Sequence, residues 1–231
     1  MPKTIAICQS NYIPWKGYFD LIRSVDEFVL YDDAQFTKND WRNRNKIRTQ
    51  EGTAWLTIPV DTSGKFGQAI KDTKVASTSW HREHWKTIRQ NYHRAPYFCD
   101  YEETFERIYH EAGQLKYLSE INHLFFVEMN RLLGIRTPLR RSMEFQLPEG
   151  KSERLVCLCR ELEATEYLSG PAAKSYLDVS RFTDQGIHVR WANYDDYPTY
   201  TQCFDGFEHH VSAVDLLLNL GPQATDFMKR F

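Results

Sequence analysis

Short apolar runs separated by polar loops predict an α/β fold at both ends of the chain. Residues 4–8 form an apolar run of strand length, residues 18–23 carry apolar side chains three and four positions apart, and residues 28–31 form a second apolar run. A strand, a loop, a short helix and a second strand in this order are typical of the start of an α/β unit. The pattern returns later, with strands predicted at 165–170 and 186–191 and helices predicted at 153–162, 171–177 and 212–220.

The middle of the chain has a different pattern, which predicts helices. Between residues 79 and 133 glycine is scarce and apolar residues recur at helical spacing. Three helices of ordinary length fit this block, and Gly134 is a suitable C-cap for the last of them. We therefore predict one composite domain, with the first part of an α/β core at 1–78, a helical insertion at 79–135 and the second part of the core at 136–231. Its predicted fold is a Rossmann-like, mostly parallel sheet with helices on both faces, and residues 55–60 are its third strand candidate.

The loop after the first strand, residues 9–17, carries candidate binding residues. Ligands of parallel sheets usually lie at the carboxyl ends of the strands, and the N-terminus of a following helix favours anions. Amide side chains donate and accept hydrogen bonds, and aromatic rings can stack on sugars and bases. The candidates in this loop are Gln9, Asn11, Tyr12 and Trp15. The glycine spacing of a P-loop or a dinucleotide fingerprint is absent.

A second polar stretch, residues 32–46, is predicted to lie at the end of the next strand. Residues 36–50 hold five basic side chains and one acidic one, a local charge of +4 in a chain whose net charge is −2. Arginine forks match phosphate oxygens, which indicates a phosphate-bearing ligand. The binding candidates are Gln35, Lys38, Trp41, Arg42, Asn43 and Arg44. Asp33 is the favoured catalytic base, and Asp32 is the alternative, which is expected to accept backbone N–H groups of the loop.

Three further residues complete the predicted site. Ser169 and Gly170 follow a predicted strand, and Gly170 lets a ligand approach the backbone closely. His84, in the helical block, is another candidate base because imidazole exchanges protons near neutral pH. No spacing of His, Cys and acidic residues matches a metal site, so none is predicted. The five scattered cysteines are expected to be reduced thiols.

Composition argues against several classes of protein. The 29 Lys and Arg against 31 Asp and Glu argue against a general nucleic-acid binder, which usually has a basic excess. No apolar run approaches the ~18 residues that span a membrane, and the N-terminus has no signal-peptide pattern. We therefore expect a cytoplasmic protein without membrane insertion, and its oligomeric state stays open.

The two polar stretches together resemble the WbqC-like family of bacterial proteins. The first similar segment is Ile7-x-Gln9 followed by Tyr12-x-Pro14-Trp15-x-Gly17-Tyr18-Phe19. The second is Asp32-Asp33-x-Gln35-Phe36 followed by Trp41-x-Asn43-Arg44-Asn45. Weaker similarities extend the resemblance over nearly the whole chain, including residues 55–60, 95–98, 167–170 and 212–221.

The resemblance implies an enzyme that acts on an activated, often amino-bearing sugar, because the family is associated with surface-polysaccharide gene clusters such as those for O-antigen. We expect acyl or aminoacyl transfer to the amine of a nucleotide-linked sugar. In this scheme basic residues hold phosphates, aromatic rings stack on sugar or base, and a carboxylate removes a proton from the amine. A nucleotide or an activated acyl donor would be the co-substrate, and no other cofactor is predicted. Two alternatives remain open, namely a non-catalytic protein that binds a glycan precursor and a nucleotidyl-transferring or adenylate-forming enzyme.

Overall fold

The protein is described by a computed structural model that covers residues 2–231 and contains seven strands and seven α-helices in that part of the chain. The strands are β1 (Thr4–Cys8), β2 (Glu27–Leu30), β3 (Arg44–Thr49), β4 (Gly52–Thr57), β5 (Leu139–Arg141), β6 (Glu166–Ser169) and β7 (His188–Trp191). The helices are α1 (Lys16–Arg23), α2 (Trp80–Tyr92), α3 (Phe98–Ala112), α4 (Leu118–Leu132), α5 (Lys151–Glu161), α6 (Val179–Thr183) and α7 (Ala213–Leu220). Short 3₁₀ segments lie at Ile70–Asp72, Ser142–Glu144, Pro171–Ser175 and Gly221–Phe227. None of the helices in residues 2–231 combines the length and apolar character needed to cross a membrane.

Five strands form one parallel sheet in the order β5-β2-β1-β6-β7. The chain builds the sheet outward from β1 to β2 and β5, and then returns to the other side of β1 for β6 and β7. This is the strand order of a Rossmann-like sheet, so the predicted fold class is confirmed. Between β1 and β6 the order of the strands reverses, and this reversal is the topological switch point of the sheet.

The side chains of β1 show why helices cover both faces of the sheet. Successive side chains of a strand point to opposite faces. Ala6 packs in the apolar cluster that also contains residues of α1, α2 to α4 and α7. Ile5 and Ile7 pack in a second cluster with residues of α5 and α6. The continuous apolar run of β1 is therefore the pattern of a strand that is buried on both sides.

The three helices predicted in the middle of the chain are present, and α4 packs on α1. The ring centroids of Phe19 in α1 and Phe126 in α4 are 5.8 Å apart. Gly134 has φ +64°, the left-handed conformation that favours glycine after a helix end. The domain limits at residues 78 and 135 stay a prediction.

The charged stretch 36–50 differs from its prediction as a loop. It contains β3, which pairs antiparallel with β4, so the strand candidate at 55–60 overlaps a hairpin that lies outside the main sheet. Ile47 is the one aliphatic residue in β3, and the strand therefore lacks the apolar alternation that would reveal it. Hydrogen bonds hold its polar residues instead: Arg48 donates to the carbonyl oxygens of Gly52 at 2.9 Å and Asp205 at 2.6 Å.

Local caps explain where two of the later helices begin. Ser212 is the N-cap of α7, as predicted, and its hydroxyl accepts a hydrogen bond from Val214 N at 3.2 Å. The helix α5 begins at Lys151, two residues before the start predicted at residue 153, and its N-cap is Gly150. The Ser152 hydroxyl accepts a hydrogen bond from Asp178 N at 3.4 Å, and so it joins α5 to the start of α6.

Candidate functional site

The switch point of the sheet lies between the carboxyl ends of β1 and β6. Open α/β sheets bind ligands in the crevice outside the strand ends at such a point. Cys8 and Gln9 lie at the end of β1, and Ser169 and Gly170 lie at the end of β6; we call the space between these four residues the switch-point crevice. The space beside Gly170 is not crowded. A Cβ added at this residue would come 3.7 Å from the Tyr194 hydroxyl, which is an ordinary contact distance.

Arg42 is the charged side chain beside the switch-point crevice. Its Nη1 donates hydrogen bonds to Asn11 Oδ1 and, at 3.4 Å, to the carbonyl oxygen of Gln9. Its Nε lies 3.6 Å from a carboxylate oxygen of Asp40. The side chain is only 14% exposed, so water screens its charge poorly. Within residues 2–231 no protein acceptor is bonded to Nη2, which leaves this donor for a ligand.

The positive charge of Arg42 affects the pKa of groups on both sides of the switch-point crevice. Burial raises the pKa of Cys8, Asp32 and Tyr176, and the positive charge of Arg42 acts against this rise in all three. Cys8 ends β1, whereas Tyr176 follows the 3₁₀ segment after β6. The positive charge of Arg42 therefore reaches groups on both sides of the switch-point crevice. The raised pKa of Cys8 keeps its thiol protonated and argues against a nucleophilic role.

The loop between β1 and α1 is held in a strained conformation. Ile13 has φ +36°, which is unfavourable for a β-branched residue. Asn45 of the hairpin donates from Nδ2 to the carbonyl oxygens of Tyr12 at 3.1 Å and Ile13 at 3.0 Å. Tyr12 N donates to the carbonyl oxygen of Trp41 at 3.0 Å. Strain of this kind costs about 1–3 kcal/mol and is concentrated at functional sites.

Beside this loop lies a cavity of about 190 Å³ that we call the aromatic cleft. It is lined by Asn11, Pro14, Trp15, Trp41, Asn45 and His210. The Trp15 and His210 rings are 5.7 Å apart, and Trp15 is supported from behind by Tyr194 at 5.4 Å. Asn11 belongs to the aromatic cleft and also bonds Arg42, so the cleft and the charged crevice are adjacent. Flat rings beside one guanidinium suit a ligand with a sugar or base and a phosphate.

His210 is the titratable ring of the aromatic cleft, and the sequence reasoning assigned it no role. Its backbone N–H donates to Glu208 Oε1 at 2.9 Å, and its Nδ1 lies 3.5 Å from the same oxygen. A carboxylate beside one ring nitrogen orients a histidine so that the other nitrogen can exchange a proton. In the sequence His210 is only one of two adjacent histidines in a polar segment far from both motifs, so no local pattern indicated it.

Tyr12 and His84 are corrections to the predicted site, because both lie in the core. Tyr12 is fully buried, and its hydroxyl is 2.9 Å from both His84 Nδ1 and the Tyr109 hydroxyl. The Nε2 of His84 lies 3.2 Å from the carbonyl oxygen of Thr57, to which it donates. In the neutral ring Nδ1 then has no proton, so the Tyr12 hydroxyl donates to it. Burial lowers the pKa of His84 to about 4, so this ring is a poor base at neutral pH. Tyr12 has no exposed surface on which a ligand could stack.

The two carboxylates proposed as bases are also occupied by structural bonds. Asp32 is 2% exposed and its Oδ1 accepts from Ser10 N at 3.0 Å, the loop-capping role expected of it. Asp33 accepts a 2.6 Å hydrogen bond from the Ser142 hydroxyl and forms an ion pair with Lys71. Asp33 therefore joins the ends of β2 and β5, and its role as a base stays a prediction. Across residues 2–231 no group of three or more His, Cys, Asp or Glu side chains is arranged to hold a metal ion.

Four predicted binding residues lie away from the cleft and the crevice. Asn43 is buried and donates to the Ile58 carbonyl oxygen at 2.8 Å. Arg44 places its guanidinium 4.2 Å above the Trp55 ring and donates to the Asn39 carbonyl oxygen at 2.6 Å. Gln35 and Lys38 are exposed and line a separate groove with residues 62–68. The predicted residues that do converge are Gln9, Asn11, Trp15, Trp41, Arg42, Ser169 and Gly170.

The mostly parallel sheet with helices on both faces defines an α/β protein of Rossmann-like fold. The model of the WbqC-like protein family matches residues 9–227, and the chain belongs to this family. The chain is 46% identical over 227 residues to the uncharacterized protein Rv1507c of Mycobacterium tuberculosis, a match that covers 98% of each chain. No solved structure gives a significant match.

Proposed function

We propose that the protein transfers an acyl or aminoacyl group to the amine of a nucleotide-linked amino sugar for a surface glycan. The observation that carries the proposal is the hydrogen bond between Arg42 and Asn11, because it joins a phosphate-binding side chain to an aromatic cleft at the switch point. Membership in the WbqC-like family supports the sugar, since the family resemblance implies surface-polysaccharide chemistry.

The size of the aromatic cleft suggests how such a ligand binds. Sites that enclose a whole small molecule usually have about 300–1,000 Å³, whereas the aromatic cleft has about 190 Å³. It therefore takes one ring of the ligand, stacked between Trp15 and Trp41. The diphosphate extends from the cleft toward Arg42, where Nη2 and the positive charge of this side chain stabilise its charge.

The proposed reaction needs a base because only a neutral amine is a nucleophile. The sugar nitrogen attacks the carbonyl carbon of an activated acyl donor, a C–N bond forms, and the bond to the donor's leaving group breaks. His210 accepts the proton that the nitrogen loses, and Glu208 orients the ring. His210 takes the role first assigned to Asp33 because it lies in the aromatic cleft and has no structural ion pair with a lysine.

A second candidate function is non-catalytic binding of the same glycan precursor. The observation that favours it is that Asp32 and Asp33 are both committed to structural bonds. It differs from the first candidate in one measurable respect. Incubation of UDP-glucosamine with acyl and aminoacyl donors, followed by mass spectrometry, yields an amide product only if the protein is an enzyme.

The binding step is tested with two arginine variants that remove the same charge at different places. Titration calorimetry with UDP-glucosamine compares the wild type with Arg42→Gln and Arg44→Gln. Loss of a hydrogen bond to a charged group costs about 1.5–3 kcal/mol, so Arg42→Gln should weaken binding by about 10- to 100-fold. Arg44→Gln should bind like the wild type, because Arg44 is held by Trp55 and Asn39 outside the cleft.

Two results would contradict the proposal. Equal affinities of Arg42→Gln and the wild type would remove Arg42 from the site. If the wild type binds ATP but binds no UDP- or dTDP-linked amino sugar, the nucleotidyl-transferring alternative is favoured instead. Raised melting temperatures report either form of binding, because a ligand of the native state stabilises it.

A further inference from the structure

A second cavity, of about 570 Å³, lies at the opposite edge of the sheet from the switch point. Arg23 reaches it from the C-terminal end of α1, which precedes β2. Arg136 and Thr137 reach it from the loop before β5, and Arg230 from the segment after α7. These positions come before the strands begin, so the cavity lies at the amino edge of the sheet. We call it the arginine cavity.

The charges that line the arginine cavity are not balanced by the protein. Arg23, Arg136 and Arg230 all line it, and no Asp or Glu does. Among residues 2–231 no carboxylate lies within ion-pair distance of any of the three, whereas Arg89, Arg107 and Arg181 on the surface are paired. Three positive groups therefore line one cavity in a chain of net charge −2, an arrangement that attracts anions.

A purely structural role explains only one of these arginines. Arg23 is in the last turn of α1, where a positive charge is favourable to the helix dipole, and it donates to the Thr225 carbonyl oxygen at 3.4 Å. Burial raises the pKa of Asp20 and the charge of Arg23 acts against this rise, but that carboxylate is bonded to Tyr197 and forms no ion pair with Arg23. Arg136 and Arg230 lie outside α-helices and are exposed, so neither a dipole nor packing accounts for them.

A buried amide in an adjoining groove is an independent sign of a ligand. Residues 134–137 separate the arginine cavity from a groove of about 520 Å³ that Asn130 lines. Asn130 is 5% exposed, and within the described part of the chain its Oδ1 has no hydrogen-bond partner. A buried polar atom without a partner is unusual in a native protein. A hydroxyl group on a ligand that extends over this rim would supply the missing donor.

We propose that the arginine cavity binds a phosphate-bearing ligand whose phosphate contacts Arg136 and Arg230 and whose hydroxyl groups reach Asn130. Guanidinium groups bind phosphate oxygens in pairs of parallel hydrogen bonds, and three of them suit a phosphomonoester or diphosphate. The same chemistry is offered by a free phosphorylated metabolite and by the headgroup of a phospholipid. This site is separate from the aromatic cleft and does not depend on the proposed transfer reaction.

The test uses pyrophosphate as a free ligand and vesicles of phosphatidylcholine with or without phosphatidic acid as the lipid source. Binding is measured in an Arg42→Gln background, so that the switch-point crevice contributes no arginine. The double variant Arg136→Gln/Arg230→Gln should weaken binding by about tenfold or more. The matched control is Arg160→Gln, which removes an exposed arginine of α5 and should leave binding unchanged.

Each outcome decides the proposal. A free metabolite is supported if pyrophosphate binds saturably and only the double variant loses this binding. A lipid headgroup is supported if the protein binds only vesicles with phosphatidic acid and the double variant loses this binding. No binding to either probe, or binding equal in the double variant and in Arg160→Gln, overturns it. Arg136, Arg160 and Arg230 are exposed, so substituting them should leave the melting temperature of the Arg42→Gln background unchanged. A failure here leaves the UDP-glucosamine result at Arg42 untouched.

Discussion

Arg42 donates through Nη1 to Asn11 Oδ1, although the two residues lie on different segments, one before the β3–β4 hairpin and the other after β1. The bond fixes the guanidinium beside the switch-point crevice while Asn11 lines the aromatic cleft. A ligand that contacts both parts therefore meets groups that are already positioned, which lowers the entropy cost of binding.

We predict that Asn11→Leu weakens the binding of a nucleotide sugar by about tenfold without unfolding the protein. Leucine keeps the volume of the side chain but offers no acceptor, so Arg42 loses its main hydrogen bond and becomes mobile. Titration calorimetry measures the affinity, and urea denaturation measures the free energy of unfolding.

The matched control is Asn91→Leu, because Asn91 bonds only within α2, donating to the Thr87 carbonyl oxygen at 2.8 Å. This variant should bind the nucleotide sugar like the wild type. If both leucine variants bind with wild-type affinity, the Arg42–Asn11 bond does not organise the site.

The second prediction concerns the pH dependence of stability that His84 causes. Burial lowers the pKa of His84 from 6.5 to about 4, so between these two pH values the unfolded chain binds more protons than the native protein. The free energy of unfolding must then fall as the pH falls through this window. At about 1.4 kcal/mol per pH unit, the loss is about 3 kcal/mol.

Other groups titrate in the same range, so the contribution of His84 is measured as a difference between two proteins. Burial raises the pKa of Asp20 to about 6, and this carboxyl therefore gives a pH dependence of opposite sign. Urea denaturation of the wild type and of His84→Gln at pH 7 and pH 4.5 separates the two effects. The free-energy gap between the proteins should shrink at the lower pH, and a constant gap would show that the ring titrates normally.

Four strands of the sheet could be predicted from the sequence because they are short apolar runs, whereas β5, which contains two arginines in three residues, was not predicted. β1 and β2 lie at the predicted positions, and β6 and β7 begin within two residues of them. The hairpin could not be predicted, because β3 buries Asn45 and Arg48 through bonds to distant backbone atoms and not through apolar side chains. Local periodicity contains no information about partners so far away in the chain.

Part of the candidate site could also be predicted, because it lies on loops that follow apolar strands. The loops after β1 and β6 were identified because strand ends are the usual ligand sites of such sheets. Tyr12 was misplaced because its position depends on His84 and Tyr109, which are 72 and 97 residues away. A tyrosine in a loop has the same local sequence whether its hydroxyl faces solvent or a core histidine.

The third prediction is that Asp33→Asn lowers stability and spares catalysis. The amide cannot form the ion pair with Lys71, and it accepts a weaker hydrogen bond from Ser142. We expect a loss of about 1–2 kcal/mol in the free energy of unfolding, measured by urea denaturation. Lys71→Met, which removes the other partner, should cost a similar amount. A large loss of turnover with unchanged stability would instead restore Asp33 as the catalytic base.

The last prediction tests the base of the proposed transfer reaction. His210→Gln keeps a polar side chain of similar size in the aromatic cleft but cannot accept a proton, so turnover should fall by about 10²- to 10⁴-fold. Binding of the nucleotide sugar should change little, because Trp15, Trp41 and Arg42 remain.

The control is His209→Gln, since His209 is the adjacent histidine and does not line the cleft. Glu208→Gln should lie between the two, because it removes the carboxylate beside Nδ1 but leaves the ring. Amide formation followed by mass spectrometry gives the turnover, and equal rates in the two histidine variants would rule out His210 as the base.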